Sequence, residues 1–276
     1  MIGRLLIPLL LAALAGTAQS QSPAPVVGYV ASVRGRWTID GTIVRPGDAH
    51  PVADGSVVAH AAGARDDRDS IVVRVGTRLV TRSCGKGECD APMTIHPTSD
   101  DPGGASIVAQ ARETLRDPSL RALASGESVL SDEFRIVDGI IQPSGGGAEL
   151  RPLIIGEVER GLVALACLRS DAECAPERAH ALLCEISTSG CRLRVSAEGV
   201  YRIALFRRYA ASGQLRYETT EGTPALVLVA SGSRYEAARA DWARVDAEVR
   251  TWRDPPRPGE LLMLRRALML RAERRG

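Results

Sequence analysis

Short runs of alternating apolar and polar residues, separated by turn residues, dominate the chain from position 25 to position 98. The first run covers residues 26–33, and Asp40-Gly41 lies between two later runs as the turn of a tight hairpin. Closely spaced short strands are typical of a small barrel or sandwich. Further strands are predicted at residues 37–39, 42–44, 56–59, 71–75 and 78–81. The pattern therefore predicts a small β domain over residues 25–98.

A different period begins after the Pro- and Gly-rich stretch near position 100. Residues 107–123 carry apolar side chains at helical spacing, and Asp117-Pro118 predicts a break within that helix. Asp138-Gly139 lies between two apolar runs and predicts the turn of a second hairpin. We interpret residues 99–149 as a linking segment that contains a helix.

The strand pattern returns between residues 150 and 230. Its clearest strands are residues 162–168, 192–195, 201–207 and 225–229. Glu198-Gly199 and Ser212-Gly213 predict turns, and the pattern leaves open whether residues 177–183 form a strand or a helical turn. We expect a second, β-sandwich-like domain here.

Helical spacing governs residues 231–276, which we interpret as a C-terminal helical tail. Ser233 and Glu236 predict a capping box at the start of the first helix. Its apolar face comprises Tyr235, Ala238, Trp242, Val245, Val249 and Trp252. A leucine stripe over residues 261–270 predicts a last amphipathic helix, packed on a core or presented to a partner groove or membrane surface. The predicted fold class is mainly β with α additions.

The first 20 residues form a separate segment with the features of a signal peptide. Its apolar run, residues 5–15, falls short of the ~20 residues that a membrane-spanning helix needs. Small residues follow at the spacing that signal peptidase recognises. We predict cleavage that leaves a mature chain starting between Gln19 and Ser22, without a transmembrane span and located in the periplasm or secreted.

The chain has six cysteines, and in an exported protein we expect them to form disulfides, because an oxidising compartment favours such bonds. The six are Cys84, Cys89, Cys167, Cys174, Cys184 and Cys191. Cys84 is predicted to bond to Cys89, because Gly85 and Gly87 permit a tight hairpin between them. The other four cysteines allow three pairings. Of these we favour Cys184–Cys191, and therefore Cys167–Cys174.

The turn chemistry of residues 30–92 resembles a known family. Strand residues 29–33 and Gly35 precede Gly47-Asp48, then Asp54-Gly55, then residues 71–75 with Gly76. This order is similar to the FecR-like domain, a small all-β periplasmic module, and residues 81–92 resemble a cysteine-paired variant of uncharacterised exported proteins. The resemblance implies no catalytic residues. FecR-type regulators carry a cytoplasmic anti-sigma segment before a membrane helix, whereas the apolar segment here begins at Leu5.

Candidate chemistry is sparse, and we predict no catalytic residue, metal or cofactor. The four histidines, His50, His60, His96 and His180, match no metal-binding motif. Residues 66–69 carry three aspartates but lack the ligand spacing of an EF-hand, so a solvated loop tip is favoured over weak Ca²⁺ binding. A net charge of +2 predicts no nucleic-acid partner, although residues 201–276 hold 15 Arg against 9 acidic residues, 15 − 9 = +6.

These observations favour a non-enzymatic exported protein that binds a protein or cell-envelope component, so an envelope protein or polymer is the expected partner. One alternative is an envelope-polymer hydrolase whose carboxylate pair is assembled by folding. Another is a FecR-type signal regulator. A deep cleft with two close carboxylates of perturbed pKa would favour the hydrolase, whereas an open strand edge would favour binding.

Overall fold

The computed structural model of this chain describes residues 24–61, 63, 66–86, 89, 91–97, 106–125, 138–143, 148–150, 161–169, 183–186, 191–220, 225–257 and 259–274. The predicted signal peptide and Cys174 lie outside the described residues. The fold is mainly β with α additions, as the sequence predicts. Within the described part of the chain, no helix is long and apolar enough to cross a membrane.

Eight short strands build the N-terminal β part. They are β1 (Val26–Arg34), β2 (Trp37–Ile39), β3 (Thr42–Val44), β4 (Pro51–Ala53), β5 (Val57–His60), β6 (Ser70–Val75), β7 (Arg78–Ser83) and β8 (Met93–Thr94). Two four-stranded sheets result, with the orders β4-β1-β6-β7 and β3-β2-β5-β8. Asp40 and Gly41 both have positive φ, which the predicted hairpin turn requires. Buried Trp37, Ile71 and Val73 lie in the core of this part.

The second β part contains one large sheet and one small sheet. Its strands are β9 (Gly139–Ile141), β10 (Ala148–Leu150), β11 (Leu162–Leu168), β12 (Leu183–Glu185), β13 (Leu193–Val195), β14 (Gly199–Ala211), β15 (Gln214–Thr219) and β16 (Ala225–Val229). The large sheet has the order β12-β11-β14-β16-β9, and β15 pairs with β14. The two-stranded sheet β10-β13 shares a buried core with one face of the large sheet. This layering gives the sandwich-like arrangement that the sequence predicts.

The helices of the described residues pack together, and the last two of them lie against the other face of the large sheet. The helices are α1 (Ile107–Thr114), α2 (Pro118–Ala124), α3 (Gly232–Val249) and α4 (Glu260–Arg274). The predicted break between α1 and α2 is confirmed, and the Asp117 side chain caps α2 by accepting from the main-chain N–H groups of Ser119 and Leu120. The helical core also includes Tyr29 of β1 and Leu228 of β16. The helices therefore pack against both β parts.

Two predicted local features are wrong. Residues 139–141 form the predicted strand, β9, but Asp138-Gly139 is not a tight hairpin turn, because neither residue has the positive φ that such a turn requires; β9 pairs in parallel with β16 instead. Residues 134–137, the other half of the predicted hairpin, lie outside the described residues. The capping box at Ser233 is also wrong: the N-cap is Ser231, whose hydroxyl donates to Glu198 and makes no capping bond.

Candidate functional site

The disulfide predictions are confirmed at two positions. Cys84 bonds to Cys89 with a Cα–Cα separation of 4.9 Å, and Cys184 bonds to Cys191 at 5.8 Å. Cys167 is also disulfide-bonded. Its predicted partner, Cys174, lies outside the described residues, so that pairing stays a prediction.

A groove runs beside β1, where the N-terminal β part meets α4. β4 pairs with β1 only from Val26 to Tyr29, so among the described strands the outer half of β1 has no partner on that side. Ser32, Asp48, Glu260 and Met263 are among the lining residues. The enclosed space is about 80 Å³. Small-molecule sites typically occupy ~300–1,000 Å³, so this groove is too small for most of them.

The two carboxylates of this groove are both held in ion pairs. Arg121 lies 3.0 Å from Asp48, and Arg74 lies 2.8 Å from Glu260. Burial opposes ionisation of Asp48, but the contact with His50 at 3.9 Å and the charge of Arg121 together lower the pKa of Asp48 below its usual value. A glycosidase general acid requires a raised pKa. With its lowered pKa, Asp48 does not suit the role of general acid that the hydrolase hypothesis requires.

A second site is the projecting hairpin, defined as residues 206–219 of β14 and β15. Ser212 and Gly213 both have positive φ, which suits the tight turn between the strands. Tyr209 is 46% exposed and Leu215 is 56% exposed, so two large apolar side chains of one hairpin face solvent. The turn was predicted from Ser212-Gly213, but β15 was not.

The face of β14 that forms the core continues into solvent along the hairpin. Tyr201, Ile203 and Leu205 are buried on that face, and Tyr209 lies on the same face further along the strand. Exposed Arg216 is directly opposite Tyr209 in the strand register. No described residue pairs with the outer edge of β15. The hairpin thus presents a tyrosine, an arginine and an open strand edge together.

The base of the hairpin is fixed to the sheet. Arg208 donates to Glu185 of β12 at 3.0 Å, and its main-chain N–H donates to Gly161 at 2.8 Å. Beyond Arg208 no described strand pairs with the outer edge of β14 or of β15. An isolated two-stranded hairpin is only marginally stable in water. A fixed base with an uncovered tip suits an element that is completed by contact with another molecule.

The described histidines occupy three different settings. His96 is exposed beside Asp54, and His50 lies near Asp48 at the groove. His60 is buried, hydrogen-bonded to Asp69 and adjacent to the Cys84–Cys89 disulfide. His180 lies outside the described residues.

The predicted solvated loop at residues 66–69 is correct for its first part only. Asp66 and Asp67 are exposed, whereas Asp69 is buried at 7% exposure because its carboxylate bonds to His60. This hydrogen bond lowers the pKa of Asp69. The only sequence signal for the contact is that Asp69 lies two residues before the predicted apolar strand at residues 71–75.

Comparisons with known protein families and with curated proteins find no match to this chain.

Proposed function

We propose that this chain is a non-enzymatic exported protein, built on a FecR-like β module, that binds a protein or cell-envelope component through the projecting hairpin. The carrying observation is the exposure of Tyr209 and, on the opposite face of the hairpin, of Leu215, beside an outer edge that is unpaired among the described strands. Tyrosine and arginine are enriched among the residues that dominate binding energy at protein interfaces. The two disulfides support the proposed export, because such bonds persist in oxidising compartments.

The chemistry of the hairpin favours a protein partner with acidic groups. Arg207 and Arg216 lie on the same face as Tyr209, and Glu218 is the acidic residue on that face of the hairpin. An extended partner segment can also pair with the free edge of β15, in the manner of strand addition. Side-chain anchors and main-chain hydrogen bonds would then act at the same place.

Site-specific photo-crosslinking tests the binding site directly. A photoreactive amino acid replaces Tyr209 in one variant and Ile43, which is 56% exposed in the N-terminal β part, in the control variant. Expression in the exporting cell should give a defined adduct from position 209 and none from position 43. Protease digestion then distinguishes a protein partner from an envelope polymer.

A second variant separates binding from folding. Tyr209→Ala with Leu215→Ser should abolish co-purification of the crosslinked partner but leave the melting temperature nearly unchanged, because exposed side chains contribute little to stability. Ile43→Ser is the matched control and should retain binding. Unchanged binding by the hairpin variant would reject the hairpin as the site. Release of soluble fragments from isolated envelope polymer by the purified protein would instead support the hydrolase.

The export part of the proposal has its own measurement. Mass spectrometry of the protein from the exported fraction should find a mature chain that begins between Gln19 and Ser22. Recovery of the intact chain with Met1 in the membrane fraction would contradict export by a cleaved signal peptide.

A further inference from the structure

Three metal-binding side chains converge inside the N-terminal β part. A ring nitrogen of His60 and the Sγ atoms of Cys84 and Cys89 lie within 4.8 Å of one another. His60 ends β5, whereas Cys84 directly follows β7, so the fold brings together residues that are 24 or more positions apart. The His60 side chain is only 2% exposed, Cys89 is buried and Cys84 is half-buried.

Asp69 holds two of these three residues in place. Its carboxylate oxygen lies 2.9 Å from Nε2 of His60, and its main-chain oxygen accepts a hydrogen bond from the N–H of Cys84 at 2.9 Å. When a carboxylate accepts from Nε2–H, the lone pair of the neutral imidazole is on Nδ1. Histidines that bind metals are oriented by a carboxylate in this way. The hydrogen bond therefore leaves Nδ1 as the ring nitrogen of His60 that can bind a metal.

We propose that His60, Cys84 and Cys89 form a redox-gated site for a thiophilic divalent ion of the zinc class. The site is closed while the Cys84–Cys89 bond is intact, because a metal binds thiolates and not a disulfide. A dithiol reductant opens it: the dithiol transfers two electrons, becomes a disulfide and leaves two cysteine thiols. Metal binding then releases both thiol protons and forms two metal–sulfur bonds and one metal–nitrogen bond.

The distances are compatible with this ligand set. Zn–S bonds of ~2.3 Å and Zn–N bonds of ~2.0–2.1 Å in a tetrahedron place neighbouring donors roughly 3.5–4 Å apart. The nitrogen–sulfur separations, at most 4.8 Å, therefore need to contract by no more than about 1.3 Å. The two sulfurs must move apart instead, and exposed Gly85, next to Cys84, supplies the backbone freedom. Three protein donors leave the fourth position of the ion to water.

Anaerobic titration with Co²⁺ tests the site, since bound Co²⁺ reports thiolate ligands by sulfur-to-metal charge-transfer absorption. The mature full-length chain is prepared oxidised and dithiol-reduced, with excess reductant removed. The reduced chain should bind one Co²⁺ with that absorption, and Zn²⁺ should displace it. The oxidised chain should show no such absorption. Equal binding by the two forms would overturn the redox gate, and no binding by the reduced form would overturn the site.

Matched cysteine variants assign the ligands. Cys84→Ser with Cys89→Ser should abolish the charge-transfer band, whereas Cys184→Ser with Cys191→Ser should retain it. His60→Gln should weaken binding and change the spectrum. Asp69→Asn should weaken binding by about 10- to 100-fold, the usual effect of losing an orienting carboxylate. Circular dichroism verifies that each variant is folded. Retention of the band by the Cys84/Cys89 variant, or unchanged affinity and spectrum in His60→Gln, would reject the assignment.

Discussion

Arg74 is a buried charged residue whose guanidinium is surrounded by partners. Two of its nitrogens donate to the two Glu260 oxygens at 3.1 and 2.8 Å, and the group lies 4.5 Å above the ring of Trp252. Its remaining hydrogen bonds go to the main-chain oxygens of Thr77, Asp254 and Pro255. Because β6 carries Arg74 and Glu260 begins α4, this residue joins the N-terminal β part to the helical tail.

Replacing Arg74 should therefore destabilise the whole protein. Arg74→Met leaves the Glu260 carboxylate buried without its countercharge, and losing one partner of a buried ion pair typically costs about 3–5 kcal/mol. Arg192→Met is the control, because Arg192 is 68% exposed in its pair with Glu149 and should cost less than about 1 kcal/mol. Urea unfolding of the two variants and the parent protein measures both losses in the free energy of unfolding.

The double variant Arg74→Met with Glu260→Gln tests the cause of that loss. With the uncompensated charge removed, part of the lost free energy of unfolding should return. A double variant no more stable than Arg74→Met alone would show that lost packing, and not the unpaired carboxylate, explains the effect.

At the scale of elements, the sequence pattern places Trp242 and Trp252 on the same apolar face of one helix, but α3 ends between them. Trp242 lies within α3, is half-buried and donates from Nε1 to the main-chain oxygen of Arg265 at 3.2 Å. Trp252 lies beyond the last helical residue, Val249, and is only 6% exposed in the helical core. The chain turns after Val249 and brings Trp252 under Arg74.

Trp252→Ala should consequently be more damaging than Trp242→Ala. Removing a large aromatic side chain from a packed core costs about 3–5 kcal/mol, and the half-buried Trp242 should lose less. Arg250→Ala, at an exposed position, should change the free energy of unfolding by no more than about 0.5 kcal/mol. Thermal and urea unfolding give the ranking. The reverse order for the tryptophans would contradict the packing described for α3 and α4.

The elements that the sequence predicts well are continuous apolar runs, which become strands buried on both faces, or elements beside a clear turn. β11 and β16 match the predicted bounds, and the hairpin at Asp40-Gly41 is present. β4 and β8 have three and two residues, too few for a period to be visible. β15 was missed because its residues are mostly exposed on both faces, so no apolar–polar alternation marks it. The two local disulfides follow from short spacing, whereas the contact of His60 with Asp69 and Cys84 depends on strand pairing.

At the scale of the whole molecule, stability depends on groups whose pKa differs between the folded and unfolded states. The pKa values of Asp48, Asp69 and Asp117 are all lowered; for Asp117 the main causes are hydrogen bonds from Ser119 and Arg274. Their stabilisation is complete above the usual aspartate pKa of about 4. It is lost as pH falls below that value, because the unfolded chain then binds more protons. The free energy of unfolding should therefore decrease on acidification below about pH 4.

Asp48→Asn tests the acidic side of this dependence. For this variant the free energy of unfolding should fall less steeply as pH decreases below about pH 4, because the carboxylate that binds a proton more readily in the unfolded chain has been removed. Asp54→Asn is the control, since Asp54 is exposed at the surface beside His96. An unchanged slope in Asp48→Asn would contradict a role for Asp48 in acid sensitivity. The measurement is the urea midpoint over a series of acidic buffers.

Alkaline conditions should destabilise the protein through Tyr29. Burial raises the Tyr29 pKa well above its usual value of about 10, and the negative charge of Glu260, which accepts from the phenol at 2.9 Å, raises it further. Above about pH 10 the unfolded chain loses this proton while the folded chain keeps it, so the free energy of unfolding falls as pH rises. Tyr29→Phe removes the ionisable group and should flatten this alkaline slope, although the lost hydrogen bond lowers stability near neutral pH by about 1–3 kcal/mol. Tyr209→Phe, at an exposed position, should leave the slope unchanged. A steep alkaline slope in Tyr29→Phe would place the sensitivity elsewhere and contradict the role of the Tyr29–Glu260 contact between β1 and α4.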